Sequence, residues 1–293
     1  MTKTHFTPYE STEFIDNELW SNQVKNKELK TFPCIAGWSD ICGFGSILER
    51  SKWNLQKVKE GGFFEVLSEA YSLLGHPLIV GIPPMPTERV LVINDGIART
   101  TDLINIAHVN QWQMLFYIRN LFMNHSMLER LLVQKKLGLR TVLAGGERCQ
   151  YSPHKSTGES FLYYTNEPSD FGKALLNQQF VYNPAEFQMN TAFALAYTLE
   201  SLGSKEKIIP NRVYIEESWL EKLNTVLVEP AFIEGQEIKF LWHGELGISI
   251  SFDDHIEIVT KGYTAKVFKV SEFVIHPSLE GEKTKFFMSK HDL

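Results

Sequence analysis

The chain has 293 residues, of which 43% are hydrophobic and 22% charged, an ordinary globular composition that argues against long disordered segments. A net charge of −6 disfavours a nucleic-acid-binding surface, and the three widely spaced cysteines indicate neither a disulfide framework nor a metal clip. The apolar stretches are shorter than the ~20 residues that span a bilayer and the N-terminus is not signal-like, so we expect a cytoplasmic protein without membrane or nucleic-acid partners.

The first thirty residues, 1–30, are interpreted as a polar arm that precedes the folded core. From Phe32 to Trp38 the chain is a run of apolar residues, which predicts a strand. This strand meets a segment with two glycines, which predicts a loop, and apolar residues then recur at helical spacing from Trp53 to Leu74. The sequence therefore predicts a strand, a glycine-containing loop and a helix, in that order.

A hairpin is predicted around Asn94–Asp95–Gly96, because Asp-Gly is a favoured turn between two strands. A long helix is then predicted from about Ile104 to Lys136. The later elements are predicted as a strand from Leu139 to Tyr151, a helix from Tyr182 to Gly203, a strand from Arg212 to Ile215, a short helix from Ser218 to Asn224, and further strands up to Lys285.

This order of elements predicts an α/β protein, more narrowly an α+β protein. We expect a ferredoxin-like βαββαβ core with an antiparallel-rich sheet and helices on one face. Residues 31–225 are interpreted as the core domain, and residues 226–293 as a β-rich extension of that domain.

Two aspartates are placed to bind a metal ion. Asp40 ends the first core strand and Asp95 sits at the tip of the hairpin, so a β-α-β-β path brings them side by side. Divalent cations in phosphoryl chemistry are held by one or two carboxylates together with substrate phosphates and water. The loop after Asp40 adds backbone N–H groups, which its two glycines allow to approach a polyphosphate closely.

The segment Ser39–Asp40–Ile41–Cys42–Gly43–Phe44, with Trp38 before it, resembles the signature Phe-x-Asp-Ile-x-Gly-Phe of class III nucleotide cyclases. The order of further segments is similar to that family, between Phe32 and Leu223. These segments are Asn94–Asp95–Gly96, the strand beginning Leu139–Arg140, the late helix Phe193–Ser201 and the strand Pro210–Val213.

The resemblance implies a site and a reaction. Asp40 and Asp95, with the backbone of Ile41, would bind two Mg²⁺ or Mn²⁺ ions. The loop residues Ile41, Cys42, Gly43, Phe44 and Gly45 would hold a triphosphate while the ribose 3′-hydroxyl attacks the α-phosphorus and pyrophosphate leaves. Class III sites form between two subunits, so the resemblance also implies a homodimer.

Three positions depart from the adenylate-type members of that family. Leu91 stands where such members place a base-reading lysine, and Ala194 and Thr198 stand where they place an asparagine and an arginine. The late helix is similar to that of the bacterial Pycsar-type pyrimidine cyclases of antiphage defence. This similarity favours UTP or CTP as the substrate and a role in antiphage second-messenger signalling.

Two alternatives stay open from the sequence: a cyclase-like protein that binds a nucleotide or a partner without turnover, and another palm-type nucleotidyl transferase. Arg140 is interpreted as a structural residue of its strand, and His125 as a surface or capping residue near a helix end. Gly145 and Gly146 fit a ligand contact and tight packing about equally well.

Overall fold

The computed structural model describes residues 17–75, 87–103, 111–150, 170 and 184–288. The described helices are α1 (Asn17–Asn26), α2 (Phe44–Arg50), α3 (Leu55–Glu60), α4 (Phe63–Gly75), α5 (Gln111–Val133), α6 (Thr191–Leu202), α7 (Glu217–Leu223) and α8 (Pro277–Glu280). Short 3₁₀ turns lie at Ala185–Phe187 and Gly203–Glu206.

The described strands form one ten-stranded sheet. They are β1 (Thr31–Cys42), β2 (Arg89–Ile93), β3 (Gly96–Asp102), β4 (Gly138–Cys149), β5 (Arg212–Glu216), β6 (Phe232–Glu234), β7 (Glu237–Trp242), β8 (Glu245–Thr260), β9 (Tyr263–Ile275) and β10 (Thr284–Phe287).

The sheet has the order β2-β3-β1-β4-β5-β9-β8-β7-β6, with β10 paired to β9. Of the pairs between described strands, only β4 and β5 run parallel. The first four strands follow the βαββαβ order, because α2–α4 connect β1 to β2 and α5 connects β3 to β4. The predicted mixed α/β class and antiparallel-rich sheet are therefore confirmed. Strand β9 pairs with β5, so the C-terminal strands extend this sheet, while the division at residue 225 stays a prediction.

The helices cover both faces of the sheet, which corrects the prediction of one covered face. Alternate residues of a strand point to opposite faces. Ile35 of β1 packs in one core cluster with α5 and α7, whereas its neighbours Cys34 and Ala36 pack against Ala192 of α6. Because β1 is buried on both sides, its run of apolar residues is nearly continuous rather than alternating.

The single helix predicted between Trp53 and Leu74 is two helices, α3 and α4, which are divided at Gly61–Gly62, where Gly62 has a positive φ of 72°. Lys52 and Trp53 follow α2 and adopt left-handed backbone conformations with φ of 52° and 56°, which separate α2 from α3. Asn54 then caps α3 through its side-chain oxygen, which accepts a hydrogen bond from the N–H of Lys57 at 3.2 Å. The apolar spacing therefore predicts the helical segments correctly, and the glycine pair divides them.

Other predicted ends fall partly outside the described residues. The long helix is confirmed as α5, beginning at Gln111, and residues 104–110 lie outside the description. Tyr151, the predicted end of β4, also lies outside it, as do Tyr182 and residues 1–16 of the predicted arm. The described residues 184–190 contain a 3₁₀ turn and no α-helix, so the predicted start of α6 at Tyr182 is wrong and the helix begins at Thr191, where Asn190 caps it. Helix α1 occupies part of that arm.

The close contact of β3 with β1 gives a test of the fold. A Cβ added to Gly96 would lie 2.3 Å from the Trp38 ring, so Gly96→Ala forces the indole or the strand to move. We expect a loss of about 1–3 kcal/mol in the free energy of unfolding, measured by urea denaturation.

Gly45→Ala is the matched control, because a methyl group there meets no atom within 4 Å and lies in helix α2. Equal stability of the two variants contradicts this packing.

Candidate active site

Strand pairing brings Asp40 and Asp95 to one edge of the sheet. Asp40 lies opposite Gly96 of β3, and the N–H of Ile41 donates a hydrogen bond to the carbonyl of Asp95 at 2.9 Å. Both aspartates are partly exposed. The structure thus brings together the two carboxylates that the sequence singled out.

The turn that carries Asp95 is held from two sides. Asn94 adopts a left-handed conformation with φ of 52°, as a tight turn between β2 and β3 requires. The hydroxyl of Tyr71, on α4, donates a hydrogen bond to the carbonyl of Asn94. Trp38 covers Gly96 on the other side of the turn. These contacts limit how far the Asp95 carboxylate can move from Asp40.

The two carboxylates destabilise each other's ionised form. Burial is the main cause that raises the pKa of Asp40 to about 6, and the charges of Glu200 and Asp95 raise it further, while Arg140 opposes the shift. Burial also raises the pKa of Asp95. A divalent cation between the two carboxylates would relieve their repulsion.

The sequence did not predict that Arg140 contacts both Asp40 and Glu200. Arg140 lies directly opposite Asp40 on β4, and its Nη2 is 3.6 Å from Asp40 Oδ2. Its Nε donates to Glu200 Oε1 at 2.6 Å, and its Nη1 donates to the carbonyl of Ile208 at 3.2 Å. Only the cross-strand register reveals this arrangement, so the structural interpretation of Arg140 was incomplete.

The loop residues differ in what they can present to a ligand. The side chain of Ile41 is buried, so only its backbone could take part, and Phe44 stacks on Phe63 with ring centroids 5.1 Å apart. Cys42 Sγ donates to Asp40 Oδ2 at 3.6 Å. Gly43, at φ of 102°, precedes α2, whose first backbone N–H groups lack partners within the helix.

The donor set fits a hard divalent cation that keeps water and substrate ligands. Among the described residues, no group of three or more His, Cys, Asp or Glu side chains is arranged to hold a metal ion. Asp40 and Asp95 supply two carboxylates, which is the usual protein contribution for Mg²⁺ in phosphate chemistry. The remaining ligands would have to come from backbone carbonyls, water or a bound phosphate.

The positions that depart from the adenylate-type pattern offer few polar groups. Leu91 packs against the cluster that contains Trp38, and Ala194 is exposed on α6. Trp38 also contacts Phe193 and Tyr197 of α6 edge-to-face, with ring centroids 5.9 and 5.3 Å apart. Around Leu91 and Trp38 the packing is therefore aromatic and aliphatic.

A buried polar network lies behind the site. His125 Nδ1 is 2.8 Å from the hydroxyl of Thr141, which is 2.7 Å from the hydroxyl of Ser39. These residues and Arg99 line an internal cavity of about 20 Å³, which has room for one water molecule. His125 is 4% exposed and burial lowers its pKa to about 3, so its interpretation as a surface residue was wrong.

Gly145 and Gly146 of β4 serve packing. A Cβ on Gly145 would lie 2.1 Å from the carbonyl oxygen of Ser218 in α7, and one on Gly146 would lie 2.5 Å from the backbone nitrogen of Ala192 in α6. Of the two interpretations left open by the sequence, tight helix packing is the one that the geometry supports.

The sequence matches no protein-family profile and no curated protein. Among solved structures, the guanylyl cyclase Cya2 is similar over 83% of this chain and 93% of its own, at 13% identity and a TM-score of 0.45. The catalytic core of a rhodopsin-guanylyl cyclase with converted specificity, in complex with ATPαS, is similar over 83% of this chain and 98% of its own. The sequence identity is 12% and the TM-score is 0.41. An adenylate/guanylate cyclase/hydrolase from Silicibacter pomeroyi is similar over 83% of this chain and 98% of its own. The sequence identity is 10% and the TM-score is 0.34.

These neighbours are nucleotide cyclases, but the similarity is too distant to assign a function to this chain. The assignment proposed below rests instead on the motif residues and their geometry. No helix in the described part of the chain is both long and apolar enough to cross a membrane.

The raised pKa of Asp40 predicts a pH-dependent stability in the absence of divalent cations. Its folded-state pKa of about 6 lies above the ordinary value of 3.8, so folding favours the protonated carboxyl. The protonated Asp40 carboxyl contributes its full stabilisation of the folded state below about pH 4, and this contribution is lost as the pH rises through about 6. Relative to Asp40→Asn, we expect the wild type to lose about 1–2 kcal/mol of unfolding free energy across that window.

Urea denaturation with EDTA between pH 4.5 and 7.5 measures the unfolding free energies of both proteins. Subtracting the values of Asp40→Asn from those of the wild type removes the contributions of all the other titratable groups, which the two proteins share. Parallel pH curves for the two proteins contradict a raised Asp40 pKa.

Proposed function

We propose that this protein is a nucleotide cyclase that converts UTP or CTP into the 3′,5′-cyclic nucleotide and pyrophosphate. The observation that carries the proposal is the convergence of Asp40 and Asp95 on a βαββαβ sheet, immediately before a glycine-containing loop. Both residues match positions of the class III motif, and their strand-end placement leaves both carboxylates partly exposed.

In the proposed reaction each part of the site has a separate task. Asp40 and Asp95, with the backbone of Ile41, would hold two Mg²⁺ or Mn²⁺ ions. Such ions would supply Lewis-acid chemistry that favours ionisation of the ribose 3′-hydroxyl and stabilises charge on the α-phosphate and the leaving pyrophosphate. The backbone N–H groups around Gly43 and Gly45 would bind phosphate oxygens. Trp38, which is buried, packs over Gly96 next to Asp95 and would fix the turn that carries this ligand.

The choice of a pyrimidine rests on the motif residues. Leu91, Ala194 and Thr198 do not supply the lysine, asparagine and arginine of adenylate-type members, and the late helix is similar to that of Pycsar-type cyclases. A homodimer, a cytoplasmic location and a role in antiphage signalling belong to the same proposal through that resemblance.

The direct test is an assay of the purified protein with Mn²⁺ and each of the four nucleoside triphosphates. We expect pyrophosphate and a cyclic mononucleotide from UTP or CTP. Asp40→Asn and Asp95→Asn are each expected to lower the rate at least 100-fold, because each removes a charged metal ligand. Mass spectrometry of the product distinguishes cyclisation from transfer between nucleotides.

Asp254→Asn is the control, because Asp254 lies on β8 with a side chain that is 78% exposed. It is expected to keep wild-type activity. Absence of a cyclic product from all four nucleotides contradicts the proposal.

A second candidate is a cyclase-like protein that binds a nucleotide without turnover. The absence of the asparagine and the arginine at Ala194 and Thr198 favours it, because adenylate-type members place those two residues there. This candidate predicts that UTP or CTP with Mn²⁺ raises the melting temperature while no pyrophosphate forms.

A further inference from the structure

We propose that the ion pair between Arg140 and Glu200 positions Asp40 and keeps it available to a divalent cation. This inference rests on the metal site of the proposed function, but it requires no turnover. Arg140 and Glu200 are positioning residues, since they act through the Asp40 carboxylate.

The guanidinium of Arg140 is fixed mainly from the side away from Asp40. Glu200 binds its Nε at 2.6 Å and also contacts its Nη2, and the Ile208 carbonyl accepts from Nη1 at 3.2 Å. Glu200 is 5% exposed on α6 and cannot swing into solvent without moving the helix. Arg140 therefore keeps its place whether or not Asp40 binds a cation.

The contact between Arg140 and Asp40 is longer than the contact between Arg140 and Glu200, and it involves only one oxygen of the Asp40 carboxylate. Arg140 Nη2 lies 3.6 Å from Oδ2, and Cys42 Sγ lies 3.6 Å from the same oxygen. Neither contact uses Oδ1. These two donors orient the Asp40 carboxylate through one oxygen and leave the other for a cation.

The charges support the same assignment. Asp40, Asp95 and Glu200 supply three carboxylates against one guanidinium, so two negative charges are left unbalanced. In the nucleotide-free protein that excess matches the charge of one divalent cation, and the triphosphate of the proposed function would supply the negative charge for a second. Without the Glu200 charge, Arg140 would neutralise Asp40 more completely, and a cation arriving between Asp40 and Asp95 would meet a single excess charge.

A second ion pair on the same strand behaves differently. Arg148, near the other end of β4, binds Asp102 through two guanidinium nitrogens, and both side chains are 4% exposed. Both oxygens of that carboxylate are occupied, so the pair is closed to a cation. Arg140 is instead shared between two carboxylates, one buried and one partly exposed.

The test is equilibrium Mn²⁺ binding to the nucleotide-free protein, measured from the free-ion signal in electron paramagnetic resonance. Glu200→Gln keeps the size of the side chain and removes its charge, and we expect Mn²⁺ affinity to fall about tenfold. Glu200→Asp keeps the charge, and we expect affinity within about threefold of the wild type.

Glu186→Gln is the matched control. Glu186 is a similarly shielded carboxylate that pairs with Arg89 at 2.9 Å, on residues the Asp40 site does not use. Its loss is expected to leave Mn²⁺ affinity unchanged, and circular dichroism confirms that each variant is folded.

Arg140→Lys is the second variant, and it decides the question if Glu200→Gln does not fold. Lysine keeps the charge, but its single ammonium cannot bind two carboxylates in the same fixed geometry, so Mn²⁺ affinity is expected to fall about threefold or more. Wild-type affinity in Arg140→Lys, or in a folded Glu200→Gln, overturns the inference. So does an equal loss in Glu186→Gln.

These outcomes separate the inference from the proposed function. If Mn²⁺ binds and Glu200→Gln weakens it while no nucleotide is cyclised, the positioning role holds and the cyclase proposal fails. If the wild type and Asp40→Asn bind Mn²⁺ equally, the metal site is absent and the positioning role is overturned with it.

Discussion

The hydrogen bond from the N–H of Ile41 to the carbonyl of Asp95 is the constraint on which the proposed site depends. It registers the end of β1 against the β2–β3 turn, and the indole of Trp38, packed over Gly96, holds the same register through side-chain contact. Two partly buried carboxylates are forced together as a result. In the proposed function, a divalent cation bound there would relieve the repulsion that adds to burial in raising the pKa of Asp40.

Much of the fold could be predicted because its signals are local. The Asp-Gly turn, the apolar strands and the long α5 periodicity each follow from neighbouring residues. Helix α2 was not predicted, because Gly43 and Gly45 indicated a loop. The position of α6 on the second face depends on tertiary packing of Ala192, which periodicity alone does not assign.

The candidate site was predictable only in part, for a similar reason. Asp40 and Asp95 were found because each follows a strand or sits in a turn, which are local features. Arg140 and Glu200 are 60 residues apart, and their contact with Asp40 appears only when β1 and β4 are in register. His125 was misread because its burial depends on the sheet beneath α5, where Thr141 and Ser39 provide its polar partners.

The central claim is that Asp40 and Asp95 together hold divalent cations against a nucleoside triphosphate. The most direct measurement is a crystal structure with Mn²⁺ and a non-hydrolysable UTP or CTP analogue, with the ions located by anomalous scattering. We expect anomalous peaks within about 2.5 Å of carboxylate oxygens of both aspartates. Anomalous peaks only elsewhere, or triphosphate bound away from the loop at Gly43, would contradict the account.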